Sequence, residues 1–163
     1  MKLVFLALGS NLKNPIKQIK KGIKLIKKIP NSKVELISSL YESIPMGKIK
    51  QPKFLNLVLS IRTKMHVEKF LFYIQNIEYL QEKKKMKKWG PRTLDIDIIL
   101  WGGKNIKKSN LVIPHYDMQN RDFVLYPLLE IAPNIKLPSG KEVRNFTRKV
   151  PNRLKILKTI KFC

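Results

Sequence analysis

The sequence predicts an α+β fold, an antiparallel sheet with helices packed on it. Three observations support this prediction. Apolar segments of strand length are separated by turn residues, two longer segments place apolar residues at helical spacing, and the segments follow the order strand, helix, strand, strand, helix, strand. That order is typical of a ferredoxin-like split βαβ sandwich. With 163 residues the chain is long enough for a sizeable core, and we predict a single domain over residues 1–163.

The beginning of the chain predicts the first strand and the first helix. Residues 3–8 are apolar and are followed by the turn sequence of residues 9–11, which indicates a buried strand. Asn14 can cap a helix that has Pro15 at its first position. Isoleucines then recur at helical spacing with lysines on the opposite face, so the apolar face is expected to pack on the sheet. These isoleucines are Ile16, Ile19, Ile23, Ile26 and Ile29.

The middle of the chain predicts two further strands and a second helix. Residues 33–41 and 54–62 are the strands, and the loop between them, residues 44–52, contains two prolines and a glycine. Helical spacing then indicates a helix from Val67 to about residue 82, followed by a lysine-rich loop over residues 82–88. The core face of this helix consists of Val67, Phe70, Leu71, Ile74 and Ile77.

A fourth strand, residues 94–101, carries two carboxylates. Asp95 and Asp97 are two residues apart, so they point to the same face with Cα atoms roughly 6–7 Å apart. Two ionised carboxylates this close require a neighbouring cation or a shared proton. Mg²⁺ is commonly bound by paired carboxylates together with the phosphates of a nucleotide. The guanidinium of Arg92, three residues before Asp95, is a candidate to bind a phosphate. Two solvated aspartates remain the alternative, although aspartate is disfavoured in strands and the chain has only 11 acidic residues.

Residues 114–123 form a second polar cluster, which contains His115, Tyr116 and Arg121. Histidine and arginine can both donate hydrogen bonds to phosphate oxygens, whereas an ordinary solvated loop is the alternative. The chain has neither a GxxxxGK[ST] nor a GxGxxG motif, so a nucleotide site would be neither a P-loop nor a Rossmann site. The rest of the chain is predicted to add loops, short strands and a short helix near residues 124–131.

The net charge of +23 raises the question of a nucleic-acid partner. Lysine supplies 28 of the 34 basic residues and is spread along the chain, which indicates a chain-wide bias rather than a designed binding surface. We therefore expect no specific nucleic-acid partner, although a basic surface attracts anionic ligands such as nucleotides. An RNA-binding module on a ferredoxin-like sheet remains the second hypothesis, and against it the chain has no RNP1-like strand motif.

Cysteine content and hydropathy predict the compartment. Cys163 is the only cysteine, so no intrachain disulfide can form, which fits a reducing cytosol. No apolar run approaches the length of a membrane span, and residues 3–8 make a poor signal peptide. We therefore expect a cytoplasmic protein that does not bind membranes, and as a separate expectation we predict a monomer.

Two long motifs, together with two shorter ones, make the chain resemble a known family. The motifs are Trp89-Gly90-Pro91-Arg92-Thr93-Leu94-Asp95-Ile96-Asp97, Pro114-His115-Tyr116-Asp117-Met118 with Asn120-Arg121 and Phe123, Leu8-Gly9-Ser10-Asn11-Leu12, and residues 52–56. With them the chain resembles, over nearly its whole length, the 6-hydroxymethyl-7,8-dihydropterin pyrophosphokinases of folate biosynthesis. The resemblance implies transfer of the terminal pyrophosphate of ATP to the hydroxymethyl oxygen of the pterin, by attack at the β-phosphorus with AMP as the leaving group.

The resemblance also implies roles for individual residues. Asp95 and Asp97 resemble the ligands of two Mg²⁺ ions that bind ATP, the co-substrate, and with Arg92 they are the expected catalytic residues. The residues expected to bind ATP are Gln75, Glu78, Trp89, Arg92, Ile98, His115, Tyr116 and Arg121. The residues expected to bind the pterin are the stacking pair Phe54 and Phe123, the edge-binding Asn56, and Ser43, Ile44, Met46 and Asp95.

Several positions depart from the family pattern. The replaced positions are Ser43 and Ile44 (commonly Thr-Pro), Phe54 (commonly Tyr), Asn110 (Arg) and Val112 (Thr). Residues 82–88 carry only lysines where the family loop has arginines, and lysine keeps the charge but not the bidentate fork of arginine. These differences leave weaker ATP binding or slower catalysis as an open alternative.

Overall fold

The computed structural model describes residues 1–45, 47–81, 91 and 93–157. Its strands are β1 (Lys2–Ser10), β2 (Ser32–Ile37), β3 (Leu40–Ser43), β4 (Phe54–Thr63), β5 (Asp95–Trp101), β6 (Ile106–Lys108), β7 (Leu111–Ile113) and β8 (Lys155–Leu157). Its α-helices are α1 (Pro15–Ile26), α2 (Val67–Leu80) and α3 (Asp122–Ile131), and its 3-10 helices are Met118–Asn120 and Val143–Arg148. No helix in these ranges is both long and apolar enough to cross a membrane.

The main sheet confirms the predicted α+β fold. Its strand order is β5-β1-β4-β3-β8, with β2 paired to the far end of β4, and every pairing is antiparallel. β6 and β7 form a separate hairpin. α1 begins as predicted, because the Asn14 side chain accepts a hydrogen bond from the Lys17 amide and Pro15 occupies the first turn.

The predicted second strand, residues 33–41, is divided in the structure. Ser38 explains the division: its amide donates to the Val58 carbonyl at 2.9 Å, and its Oγ accepts from the Val58 amide at 2.9 Å. A side-chain oxygen therefore replaces a main-chain carbonyl in the ladder, and pairing with β4 is interrupted. β2 and β3 result, both paired with β4.

The two faces of the sheet bury different cores. One face, which includes Leu6, Leu57 and Ile98, packs against α1 and α2. The opposite face, which includes Phe5 and Val58, packs against α3 and the segment after it. The predicted short helix near residues 124–131 is thus α3, and it covers the sheet face turned away from α1 and α2.

Candidate active site

The two strand carboxylates lie on the α3 side of the sheet. Asp95 pairs with Gly9 and Asp97 with Ala7, while Ile96 and Ile98 point into the opposite core, as the alternation of a strand requires. The register places Asp95, Gly9, Asn56 and Tyr41 in one row across four neighbouring strands. Both aspartates are partly buried, so their charges face a shared, partly desolvated space.

His115 faces this carboxylate pair. Its amide donates to the Ile99 carbonyl at 3.0 Å, which fastens the loop to β5. The Asp117 amide donates to His115 Nδ1 at 3.2 Å, so the ring proton belongs on Nε2, which lies 3.7 Å from Asp97 Oδ2. The Tyr116 ring stacks on the imidazole with centroids 4.8 Å apart.

The electrostatic surroundings keep His115 neutral. Burial, and then the positive charge of Arg121, lower the pKa of His115 to about 4, although the Asp117 and Asp95 carboxylates act in the opposite direction. A neutral imidazole with its proton on Nε2 is a hydrogen-bond donor aimed at the carboxylate pair. Such a donor suits an anionic ligand, and in particular a phosphate oxygen, bound beside Asp97.

Arg121 is held by Asp117, a residue to which sequence reasoning gave no role. Arg121 Nε donates to Asp117 Oδ2 at 3.0 Å, and Asn120 Nδ2 donates to Asp117 Oδ1 at 2.9 Å. Burial raises the pKa of Asp117, but the hydrogen bonds from Asn120 and Arg121 outweigh it and lower the pKa below its ordinary value. The Arg121 guanidinium also lies 5.6 Å from the centroid of the Phe123 ring, within cation–π range. The spacing of Asp117 and Arg121, four residues apart, was the signal available in the sequence.

Asn56 and Ser43 form a buried polar pair at the other end of the row. Asn56 Nδ2 donates to Ser43 Oγ at 2.7 Å, which fixes the orientation of the amide. Asn56 Oδ1 is turned towards Gly9, because a Cβ built on Gly9 would lie 3.0 Å from that oxygen. The Phe54 ring borders the same space, with Cδ1 3.9 Å from that point. An aromatic ring and an oriented amide therefore surround the sheet surface at Gly9.

Phe123 and Ile44 line an open cavity of about 420 Å³. Three positively charged side chains line the cavity, namely Arg121, Lys149 and Arg153. Lys149 and Arg153 belong to the C-terminal segment and are not among the residues predicted from the sequence. The lining residues are Ile44, Pro45, Asn120, Arg121, Asp122, Phe123, Lys149, Val150, Pro151 and Arg153. Phe123 thus belongs both to this cavity and to the surroundings of Arg121.

Of the other expected ATP residues, the three that the structure describes, Gln75, Glu78 and Ile98, do not place their side chains on the carboxylate face. Gln75 is exposed on α2, and the Ile98 side chain is buried in the core beneath α1 and α2. Glu78 is buried, and its Oε2 accepts a hydrogen bond from the Ile96 amide at 3.0 Å. The Ile96 amide therefore points to the outer edge of β5, and the Ile98 amide two residues along points the same way. A contact of Ile98 with a nucleotide would use this main-chain edge.

The last residue of β1, Ser10, and the residue after it, Asn11, contact the segments on either side of the site. Ser10 Oγ donates to the Thr93 carbonyl, just before β5. Asn11 Nδ2 donates to Gln51 Oε1 and to the Pro52 carbonyl, both at 2.9 Å, just before β4. Ser10 and Asn11 therefore fix the chain segments that lead into β5 and β4, the strands that carry Asp95 and Asn56.

Some expected site residues lie outside the described residues. They are Met46, Trp89, Arg92 and the lysine loop of residues 82–88. The roles that the resemblance implies for these residues stay predictions.

Asp95 and Asp97 fit a divalent ion bound together with a phosphate ligand. Within the described part of the chain, no group of three or more His, Cys, Asp or Glu side chains is arranged to hold a metal ion by itself. A pair of carboxylates completed by phosphate oxygens and water is the usual environment of Mg²⁺ in nucleotide sites.

Comparisons with known proteins all identify the same family. The family model described as 7,8-dihydro-6-hydroxymethylpterin-pyrophosphokinase (HPPK) matches residues 5–133. The 2-amino-4-hydroxy-6-hydroxymethyldihydropteridine pyrophosphokinase of Haemophilus influenzae is 40% identical over 144 residues, covering 88% of this chain and 90% of the relative. The protein of the same name from Pseudomonas aeruginosa is 41% identical over 140 residues, covering 86% of each chain.

A solved structure supports the fold. The crystal structure of Plasmodium falciparum HPPK-DHPS, wild type, with SDX-DHP superimposes with a TM-score of 0.69 at 18% identity. The match covers 91% of this chain but 43% of the other, so this chain spans less than half the length of that protein.

Proposed function

Because the chain belongs to the 7,8-dihydro-6-hydroxymethylpterin-pyrophosphokinase family, we propose how its residues carry out that family's reaction. The chain is an ATP-dependent diphosphotransferase of folate biosynthesis. It transfers the pyrophosphoryl group of ATP to the hydroxymethyl group of 6-hydroxymethyl-7,8-dihydropterin and releases AMP and the pterin diphosphate.

The carboxylate pair opposite His115 is the observation that carries the proposed ATP site. Asp95 and Asp97 would hold two Mg²⁺ ions against the triphosphate, and these ions would neutralise phosphate charge. His115 Nε2, 3.7 Å from Asp97, is placed to donate to a phosphate oxygen in the same space. Arg121, held by Asp117, would add a fixed positive charge, and Arg92 is proposed to do the same.

The row from Asp95 to Asn56 supports the proposed pterin site. Phe54 and Phe123 would stack on the flat heterocycle, and Asn56 would bind its polar edge through an amide oriented by Ser43. The hydroxymethyl group would then lie at the Asp95 end of the row. Its oxygen attacks the β-phosphorus while the bond to the α-phosphate oxygen breaks and AMP leaves, and the hydroxyl proton passes to water.

We also propose that the protein works as a monomer in the cytoplasm. The support for the compartment is compositional, because the single cysteine, Cys163, fits a reducing environment. Light scattering of the purified protein at micromolar concentration tests the oligomeric state.

The nature of the released nucleotide tests the proposed function. Purified protein incubated with Mg²⁺, ATP and hydroxymethyldihydropterin should release AMP in amounts equal to the pterin diphosphate formed. Replacing Asp97 with alanine should reduce the rate by about 10²-fold or more, because the metal-bound triphosphate loses a ligand. Glu35→Ala is the matched control, since Glu35 is a carboxylate on β2 that pairs with Arg62. Release of ADP, or equal rates for the wild type and Asp97→Ala, would contradict the proposal.

A further inference from the structure

The open cavity beside Phe123 lies at the end of the sheet that is remote from β5. It is bounded by the residues after β3, by the start of α3 and by residues 149–153 of the C-terminal segment. The strand order β5-β1-β4-β3-β8 places two strands between β5 and β3. Because the outer edge of β5 is where a nucleotide would meet the Ile98 main chain, the cavity belongs to the pterin side of the molecule.

The C-terminal wall of the cavity is fixed through its main chain. The Arg153 amide donates to Asp122 Oδ2 at 3.3 Å. The Tyr126 hydroxyl donates to the Val150 carbonyl at 2.7 Å. Asp122 Oδ1 accepts from the Phe123 amide at 2.8 Å, so both oxygens of this carboxylate already bind main-chain amides. Asp122, the acidic residue among the described lining residues, therefore holds the wall in place.

The three positively charged side chains of the cavity outnumber its carboxylate. Arg121 binds Asp117 through Nε at 3.0 Å. Neither Lys149 nor Arg153 forms an ion pair with any other residue that the structure describes. Lysine and arginine side chains form strong charge-assisted hydrogen bonds with phosphate oxygens. The cavity therefore offers positive charge to an anionic ligand without the help of a metal ion.

The remaining walls of the cavity are mostly apolar. They consist of Ile44, Pro45, Phe123, Val150 and Pro151. A volume of about 420 Å³ lies within the range of small-molecule sites. Apolar walls, an aromatic ring and two cations without a protein partner together suit a flat heterocycle that carries an anionic group. The proposed reaction yields two molecules of this kind, AMP and the pterin diphosphate.

The cavity and the proposed phosphate site share Arg121. Asp117 connects the two places, because its amide donates to His115 Nδ1 at 3.2 Å while its carboxylate accepts from Arg121. His115 faces the carboxylate pair, whereas Arg121 lines the cavity. A diphosphate that leaves the carboxylate pair can therefore pass along Arg121 to the cations of the C-terminal wall.

We propose that this cavity binds the pterin diphosphate product once its metal ions have dissociated, with Lys149 and Arg153 as contacts of the diphosphate. The hydroxymethyl arm of the substrate is uncharged, so these two side chains distinguish the product from the substrate. AMP is the less suitable occupant, because the nucleotide is proposed to bind at the opposite end of the sheet. This inference rests on the proposed function, since it concerns the product of that reaction. Neither side chain touches the reacting atoms.

The double variant Lys149→Ala with Arg153→Ala tests this inference in the full chain. Isothermal titration calorimetry in EDTA should show a dissociation constant for the pterin diphosphate about tenfold above that of the wild type, as expected for the loss of two exposed charge contacts. The dissociation constants of hydroxymethyldihydropterin and of AMP should stay within about twofold. The fold should persist, because the Arg153 contact with Asp122 uses the main chain.

The matched control is the double variant Lys136→Ala with Lys141→Ala. It removes the same charge from two exposed lysines that do not line the cavity, and it should leave the affinity for the product unchanged. Equal losses in the two double variants would overturn the inference, because general attraction by a basic protein would then explain product binding. A loss for AMP as large as that for the pterin diphosphate would also overturn it.

The metal dependence gives an independent test of the same inference. Product binding by the wild type should persist in EDTA, because side chains rather than Mg²⁺ neutralise the diphosphate in the cavity. Binding that requires Mg²⁺ would place the product at Asp95 and Asp97 and would contradict the inference. Failure of the proposed function would look different, because the wild type itself would then release no AMP from ATP and hydroxymethyldihydropterin.

Discussion

His115 combines burial, a defined tautomer and a nearby carboxylate pair, and each of these properties can be measured. The low pKa comes from burial and from the Arg121 charge, so the folded protein resists protonation of this ring. At the proposed ATP site the imidazole would therefore act as a neutral hydrogen-bond donor rather than as a counter-ion. The expected role of His115 is therefore to orient a phosphate oxygen, while the fixed cations balance the phosphate charge.

We expect the imidazole of His115 to titrate near pH 4 in metal-free protein, as followed by proton NMR. The chain has two histidines, so the variant His66→Gln leaves a single imidazole signal for assignment. The unfolded chain binds this proton near pH 6.5, so the free energy of unfolding should fall as the pH drops from about 6.5 to about 4, by on the order of 3 kcal/mol. His115→Gln should remove this part of the pH dependence. A midpoint near 6.5 in the folded protein would contradict the prediction.

Asp117 is expected to orient Arg121 for the phosphates of ATP. In Asp117→Asn, the neutral amide accepts the Arg121 Nε–H bond less strongly, and the guanidinium loses its fixed position. The KM for ATP should rise by about tenfold, equivalent to roughly 1.4 kcal/mol, with little change in pterin affinity. Glu35→Gln is the control, because it removes a similar bond from Arg62 Nε, at 2.7 Å, on the outer strand β2. An unchanged KM in Asp117→Asn would refute this role.

The sequence predicts which residues belong to the candidate site better than it predicts which side chains those residues contact. Asp95 and Asp97 could be placed on one face because the strand period is local and fixed. Asp117 stood inside a recognised motif, yet its hydrogen bonds depend on how the loop folds back on itself. The sequence predicts a turn at residues 9–11, whereas the register of the strands places Gly9 within β1, between Asp95 and Asn56.

At the scale of elements, the contact between β3 and α3 fastens the two sides of the proposed pterin site. Tyr41 donates its hydroxyl hydrogen to Glu130 Oε1, and the Ser39 amide and hydroxyl donate to Glu130 Oε2. Burial and the Glu130 carboxylate raise the pKa of Tyr41 above its ordinary value, so the hydroxyl keeps its proton. Since Phe123 lies in the first turn of α3 and β3 ends at Ser43, this link joins the two elements that carry these residues.

Tyr41→Phe should destabilise the protein more than Tyr126→Phe. Both changes remove one hydroxyl, but Tyr41 donates to a carboxylate whereas Tyr126 donates to the Val150 carbonyl at 2.7 Å. The free energy of unfolding in urea should fall by about 1.5–3 kcal/mol for Tyr41→Phe and by about 1 kcal/mol for Tyr126→Phe. Equal losses of unfolding free energy in the two variants would show that the charge of the Glu130 acceptor does not strengthen the hydrogen bond of Tyr41.

The strands and helices were predicted best where their patterns are long. β1, β4, α1 and α2 follow extended apolar periodicity, and their observed bounds lie close to the predicted ones. β8 pairs with β3 over three residues, too few to leave a pattern in the sequence. α3 was located near residues 124–131, but its sheet face depends on contacts far along the chain.

At the scale of the whole molecule, the proposed cleft is assembled from segments that are distant in sequence. Residues 9–11, 43–45, 54–56, 95–97 and 115–123 meet because the antiparallel order of the sheet places β1 between β4 and β5. The cavity wall formed by residues 149–153 lies beyond residue 133, where the family match ends. The family pattern therefore predicted most of the candidate residues. The positions of Lys149 and Arg153 in the cavity wall could be recognised only from the folded structure.

The net charge of +23 predicts that salt stabilises this protein. With 34 basic and 11 acidic residues, most lysines repel one another in the compact state, and screening reduces this repulsion. The Debye length falls from about 30 Å at 0.01 M salt to about 8 Å at 0.15 M, so long-range repulsion is largely removed over this interval. Each kcal/mol gained corresponds to about 2–4 °C for a chain of this size, and we expect the melting temperature to rise by several degrees.

Differential scanning calorimetry in NaCl and in KCl at equal ionic strength measures this effect. Equal rises in the two salts would identify screening as the cause, because a specifically bound cation would distinguish sodium from potassium. The same screening should weaken any nonspecific association with RNA as salt increases, since that association depends on the same lysines. A melting temperature that falls or stays constant with salt would show that the lysines are already arranged to avoid mutual repulsion.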